Sequence, residues 1–215
     1  PIARNQLASL SRDAPLYRAV IEPTSRAWPM EEDDARLSLE ALSVFGIVQP
    51  APLLLSLLRA RDATPKLKGM QLKKTLQVVE RFHFQHTVVS QLRSSGGVSE
   101  MYAKAARELS AAGGDQEERA RVLTEIRNKL IERRPDREQF VLSFVERFYF
   151  TNEQARDSKL VRYVLERLLR HSHPTTSVER LTIEHILPQK ELRSGVPFEV
   201  VGSLGNLLLV KDRKS

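Results

Sequence analysis

Between Glu31 and about His171, apolar residues recur every three or four positions, and the alternation a half-buried strand needs is absent. Such a stretch buries its apolar stripes only as helices packed on one another. The segment 70–92 shows the pattern best, with Leu72, Leu76, Val79, Phe82 and Val89 marking one stripe for burial. Pro50 and Pro52 stand where a helix opens before the Leu-rich run 53–58, a position proline tolerates because the first N–H groups of a helix lack internal partners. Ser94-Ser95-Gly96-Gly97 breaks the following helix, and Gly113-Gly114 separates the next two. Pro135 with Asp136 opens another helix toward Phe148, and an amphipathic segment over 159–170 closes a series of about seven.

After His171 the character changes. The segment 171–177 is a polar, proline-broken linker. Residues 180–187 alternate or run apolar with β-branched residues, as in a strand, and 207–210 are short enough for a second one. The expected fold is therefore mainly α: a multi-helix domain over 1–172, followed by a small mixed module over 173–215.

The 215 residues include no cysteine, which excludes a disulfide framework, a Cys-based zinc knuckle, an iron–sulfur cluster and a thiol nucleophile. No apolar run approaches the roughly 20 residues that span a bilayer, so no membrane partner is expected. The chain starts at Pro1, without a secretory signal pattern, and is expected to be a piece of a longer protein. Its net charge of +7 makes a polyanion a natural partner. Residues 61–100 alone carry +4, and Arg59, Arg61, Lys66, Lys68, Lys73 and Lys74 cluster around one predicted loop and helix start as a candidate DNA-contacting patch, with Lys211 and Arg213 as further candidates near the C-terminus. The bland reading of that cluster is a solvated helix face. The acidic run Glu31-Glu32-Asp33-Asp34 is read as favouring a helix N-terminus. His83 and His86, one turn apart, are read as packed residues because no third ligand accompanies them, and no Walker-type phosphate loop is present.

In the C-terminal module, Glu184-His185-Ile186-Leu187-Pro188 sets an acid beside an imidazole at a strand end, and Gly205-Asn206-Leu207 follows about twenty residues later. These strings resemble the HNH nuclease motif. With Leu181-Thr182-Ile183 before them, Gln189 after, and Gly202-Ser203-Leu204 leading into Gly205-Asn206, the module is similar to the cysteine-free HNH domain at the C-terminus of GmrSD-type modification-dependent restriction enzymes.

The resemblance implies an incomplete ββα-metal module and a metal-dependent DNA endonuclease in bacterial restriction or antiphage defence. Hydrolysis of a phosphodiester needs a base to take a proton from water, and imidazole titrates near neutrality, so His185 is the expected general base. Glu184 is the expected oxygen ligand to one Mg²⁺ or Mn²⁺. Asn206 is expected to tether the two strands and support the base. Adjacent strand residues point to opposite faces, so Glu184 and His185 reach one phosphate only where the strand distorts or ends, which Pro188 favours. In the family a third residue, Asn or His, would fall about nine or ten positions after Asn206, where this chain stops; Asp212 is the nearest substitute. A single such site nicks, and double-strand cleavage would need a homodimer or repeated events. By the same resemblance, the partners are DNA and an N-terminal nucleotide-hydrolysing sensor domain of the same protein, in the bacterial cytoplasm. The alternative is a catalytically silent DNA-binding or regulatory module of a larger defence protein.

Overall fold

The computed structural model describes residues 2–92, 96–152, 157–173 and 181–211. It divides into two compact units, Pro1–Phe140 and Val141–Ser215.

The first unit is helical throughout. Its elements are α1 (Ile2–Ile21), α2 (Asp33–Phe45), α3 (Ala51–Asp62), α4 (Gly69–His83) continued by a π-helical turn Phe84–Val89, α5 (Gly96–Ala111) and α6 (Gln116–Glu132). Helix α3 packs on α5 and on α1, α2 packs on α4, and α6 packs on α4 and α5. The stripe expected over 70–92 forms the centre of this core: Leu72, Leu76, Val79, Phe82 and Val89 are all buried. Leu39, Leu53, Leu57, Tyr102, Leu109 and Leu123 close around it.

Local chemistry sets the helix ends. Pro52 sits in the first turn of α3, as its missing N–H predicts. Gly46 ends α2 in the left-handed conformation, φ +68, donating to Ser43 O while Ile47 N reaches back to Leu42 O. Asp115 caps α6 by accepting from Glu117 N and Glu118 N at 2.9 and 3.1 Å. A Cβ at Gly114 would lie 3.0 Å from Pro65 Cδ, so any side chain there would require the proline ring to give way slightly.

Two features differ from the sequence-based expectation. Helix α1 has no counterpart in it: Pro15 lies inside the helix, where it interrupts the usual pattern, yet Leu16, Ala19 and Val20 are buried. Helix α5 begins at Gly96, so Gly96-Gly97 lie in its first turn, whereas Ser94 and Ser95 fall outside the described residues.

Helix α7 (Arg137–Val145) runs across the division between the units. The second unit then holds α8 (Ser158–Ser172), β1 (Leu181–His185), a 3-10 stretch Gln189–Ser194, the single turn α9 (Phe198–Val201) and β2 (Leu207–Lys211). The strands pair antiparallel, Leu181 with Lys211 through His185 with Leu207. Helix α8 packs on β2, and Phe148, Val161, Val164, Val201 and Leu207 are buried. Residues 149–150 join the same unit through a Tyr149–Ser203 bridge and a Phe150 N to Gly202 O bond of 2.8 Å. The division at 140/141 thus precedes the expected one at 172/173, because α8 and the 149–150 segment pack with the strands. Residues 174–177 of the expected linker lie outside the described residues.

Candidate active site

The site forms where β1 ends. Pairing is regular as far as His185, and Ile186 N then donates to Asn206 O at 2.9 Å. The strand therefore terminates at the acid–imidazole pair, short of Pro188. Glu184 lies on the exposed face with Thr182, whose Oγ1 donates to Glu184 Oε1 at 3.4 Å. His185 leaves the strand on the other face and is half-buried.

Both nitrogens of His185 have partners. Nε2 stands 2.9 Å from the carbonyl oxygen of Phe150, and the two rings stack at 5.8 Å. A carbonyl only accepts, so the proton of a neutral imidazole belongs on Nε2 and the lone pair on Nδ1. Gln189 Nε2 approaches that lone pair at 3.3 Å. The orientation of the Gln189 amide is set in turn, because its Oε1 accepts from Asn152 N at 2.8 Å. One donor–acceptor sequence runs from Asn152 N through Gln189 and His185 to Phe150 O, and each member requires the same tautomer.

Asn206 ties the site together. Its Oδ1 accepts from Leu187 N at 2.7 Å, and its Nδ2 donates to Leu187 O at 3.0 Å and to Val201 O at 2.7 Å. Two backbone groups that leave the ladder beyond His185, and the last carbonyl of α9, are thereby satisfied by one side chain. This joins the end of β1 to α9 and the start of β2. Asn206 makes no direct bond to His185, so it fixes the backbone that carries the imidazole.

Among the described residues, no group of three or more His, Asp or Glu side chains could together hold a metal ion. What stands at the strand end is one exposed carboxylate, Glu184. That donor fits a hard divalent cation of the Mg²⁺ type, which commonly keeps several waters and binds through one or two carboxylates plus substrate phosphate oxygens.

The basic cluster has a mixed fate. Arg59 grips Asp13 through two bonds of 2.7 and 2.6 Å, which holds the Asp13 carboxyl below its usual range. Arg61 donates to Glu32 at 2.6 Å and to Leu67 O at 2.8 Å, and Lys73 pairs with Asp34. Half of the acidic run thus engages the basic cluster: Glu32 is buried against Arg61, and Asp33-Asp34 start α2 as expected. Lys66, Lys68 and Lys74 in the first unit, and Lys211 in the second, are exposed and make no ion pair among the described residues. Arg213 and Asp212 lie outside them.

His83 is fully buried, with Nε2 3.0 Å from Tyr102 Oη and Nδ1 3.2 Å from Thr87 Oγ1. Desolvation pushes its pKa down to about 4, with a smaller contribution from His86. It is a neutral core residue, as the sequence predicts.

Sequence reasoning did not single out Gln189, Asn152 or the Phe150 carbonyl. Gln189 closes the motif string and was legible there; a backbone carbonyl 35 residues upstream carries no side-chain signal.

Among the described residues, no helix is long and apolar enough to cross a membrane. Comparison with curated proteins and with solved structures returns no match. Residues 141–214 match the family described as GmrSD restriction endonucleases, C-terminal domain, with a start that coincides with that of the second unit.

Proposed function

We propose that the second unit is an HNH-type nuclease module that hydrolyses DNA phosphodiesters with Mg²⁺ or Mn²⁺, nicking one strand per event. The observation that carries this reading is the tautomer assignment at His185. A backbone carbonyl holds the Nε2 proton, so Nδ1 keeps a lone pair able to take a proton from water. Stacking on Phe150 fixes the ring plane, and Gln189 occupies the Nδ1 position with a long, replaceable bond of 3.3 Å. A water that takes the amide's place would meet an oriented base.

Glu184 would anchor the cation. When bound, such an ion polarises the phosphate and stabilises charge on the leaving oxygen. Asn206 keeps the base in place, and Gln189 positions it. The exposed Lys66, Lys68, Lys74 and Lys211 are the cations best suited to contact phosphates, and their contribution should fall with salt. The family match over residues 141–214 supports DNA as the substrate and restriction as the setting. A nucleotide-hydrolysing sensor domain of the same protein, and a homodimer for double-strand cleavage, belong to this reading as its partners.

The test is supercoiled plasmid with Mg²⁺ or Mn²⁺. Open-circular product is expected, with His185→Ala cutting roughly 100-fold slower or worse while retaining DNA binding. Equal cutting by His185→Ala would rule out its role as base. A second reading, a catalytically silent DNA-binding module, draws on the lack of a three-donor group among the described residues. It is favoured if the chain binds plasmid yet leaves it supercoiled with either cation.

A further inference from the structure

The first unit contains a cleft of about 780 Å³, within the usual range for small-molecule sites. Helices α1 and α3, the C-terminal end of α5 and the first turns of α6 form its walls. Leu16, Ala60 and Leu109 give it apolar surface, and Ser9, Ser56 and Ser110 add hydroxyls.

The charges on its wall do not cancel. Two carboxylates, Asp13 and Asp62, face three guanidiniums, Arg12, Arg59 and Arg119. Asp13 is already held by Arg59 and by Ser9 Oγ, and Asp62 is held by Arg26 at 3.1 Å. Arg12 lies close enough to Asp13 to help hold that carboxyl down, but among the described residues neither Arg12 nor Arg119 is held in an ion pair.

Arg119 is the telling one, because it is only 3% exposed. Its Nη1 donates to Pro65 O at 2.7 Å, while Nε is buried without any hydrogen-bond partner. A buried guanidinium with no counter-charge and an orphaned donor is costly. The α6 N-terminus beside it is the positive end of the helix dipole and offers no relief, and the Asp115 carboxylate there is taken up in capping the helix. An anion in the cleft would supply the missing counter-charge.

We propose that this cleft binds a phosphorylated small molecule, its phosphoryl group held by Arg119 and Arg12 and its organic body lying on the Leu16–Leu109 surface. A phosphoryl group presents three acceptor oxygens, enough to engage two guanidiniums and neighbouring hydroxyls together. The guanidinium fork suits such a ligand better than an ammonium does. All the lining residues belong to the first unit, so the site is independent of the nuclease reading.

The test is calorimetric titration of the full chain with AMP and with pyrophosphate, and with citrate as a carboxylate control. Saturable binding of a phosphate probe is expected. Arg119→Lys should weaken it roughly tenfold by losing the fork geometry. Arg12→Ala, an exposed position that leaves the core untouched, should weaken it by a smaller factor. His185→Ala should bind as the wild type does. The proposal is overturned by the absence of saturable binding with both phosphate probes, by affinities unchanged in both arginine variants, by citrate binding more tightly than either probe, or by loss of binding in His185→Ala.

Discussion

Two histidines, one in each unit, are hydrogen-bonded at both ring nitrogens, yet their surroundings set them to different work. His83 sits between Tyr102 and Thr87 in a sealed helical core, and burial drives its pKa down to about 4. His185 sits at a strand end, half open to solvent, with a carbonyl on one nitrogen and a displaceable amide on the other. Number of partners does not separate a structural imidazole from the proposed general base. The difference lies in whether water can reach the nitrogen that carries the lone pair.

The comparison is sharpened most by pH. His83 has a folded pKa below its unfolded value of 6.5, so the unfolded chain binds more protons between pH 6.5 and about 4. Stability is then full above pH 6.5 and falls as pH drops through that window, by about 3 kcal/mol from His83 alone. His86, also shifted down by burial, acts in the same direction. Urea unfolding across this range should show the slope, and His83→Gln should flatten most of it. A variant as steep as the wild type would break the contrast between the two imidazoles.

A smaller effect is expected at the open site. Asn206→Ala leaves Leu187 N, Leu187 O and Val201 O without their partner. It should cost about 1–3 kcal/mol for the stranded groups, read as a lower urea midpoint, and should depress nicking further by freeing the strand end. Full nicking by a clearly destabilised Asn206→Ala would show that the base needs no such support.

The smallest effect belongs to the ion pairs of the helical unit. Lys73 and Asp34 are both more than one-third exposed, so Lys73→Ala should cost about 0.2–1 kcal/mol. Because Lys73 is engaged, its loss should also weaken DNA binding less than Lys74→Ala, measured by salt-dependent titration. The reverse order would mean that DNA outcompetes Asp34 for the ammonium.

Helical periodicity made most of the first unit legible: the stripe from Leu72 to Phe82 is buried as its spacing requires. Strand signals over 180–187 and 207–210 were equally local and found β1 and β2. Helix α1 was not legible, because its interior proline and modest apolar pattern hide a face that only packing on α3 defines. The basic cluster was visible as a count, but the count could not separate cations held by Asp13, Glu32 and Asp34 from those left to solvent.

The residues themselves determined the chemistry available to this protein: no thiol, one Glu-His pair at a strand end, an asparagine immediately before the returning strand, and a surplus of positive charge. Tertiary structure alone decided how that chemistry is set. The proton of His185 is placed by a carbonyl 35 residues away, and Arg119 is left buried without a counter-ion by helices distant in sequence. Periodicity and motif spacing report on neighbours along the chain, whereas a tautomer and an unpaired buried charge depend on which distant backbone and side-chain atoms the packed fold brings within 3 Å.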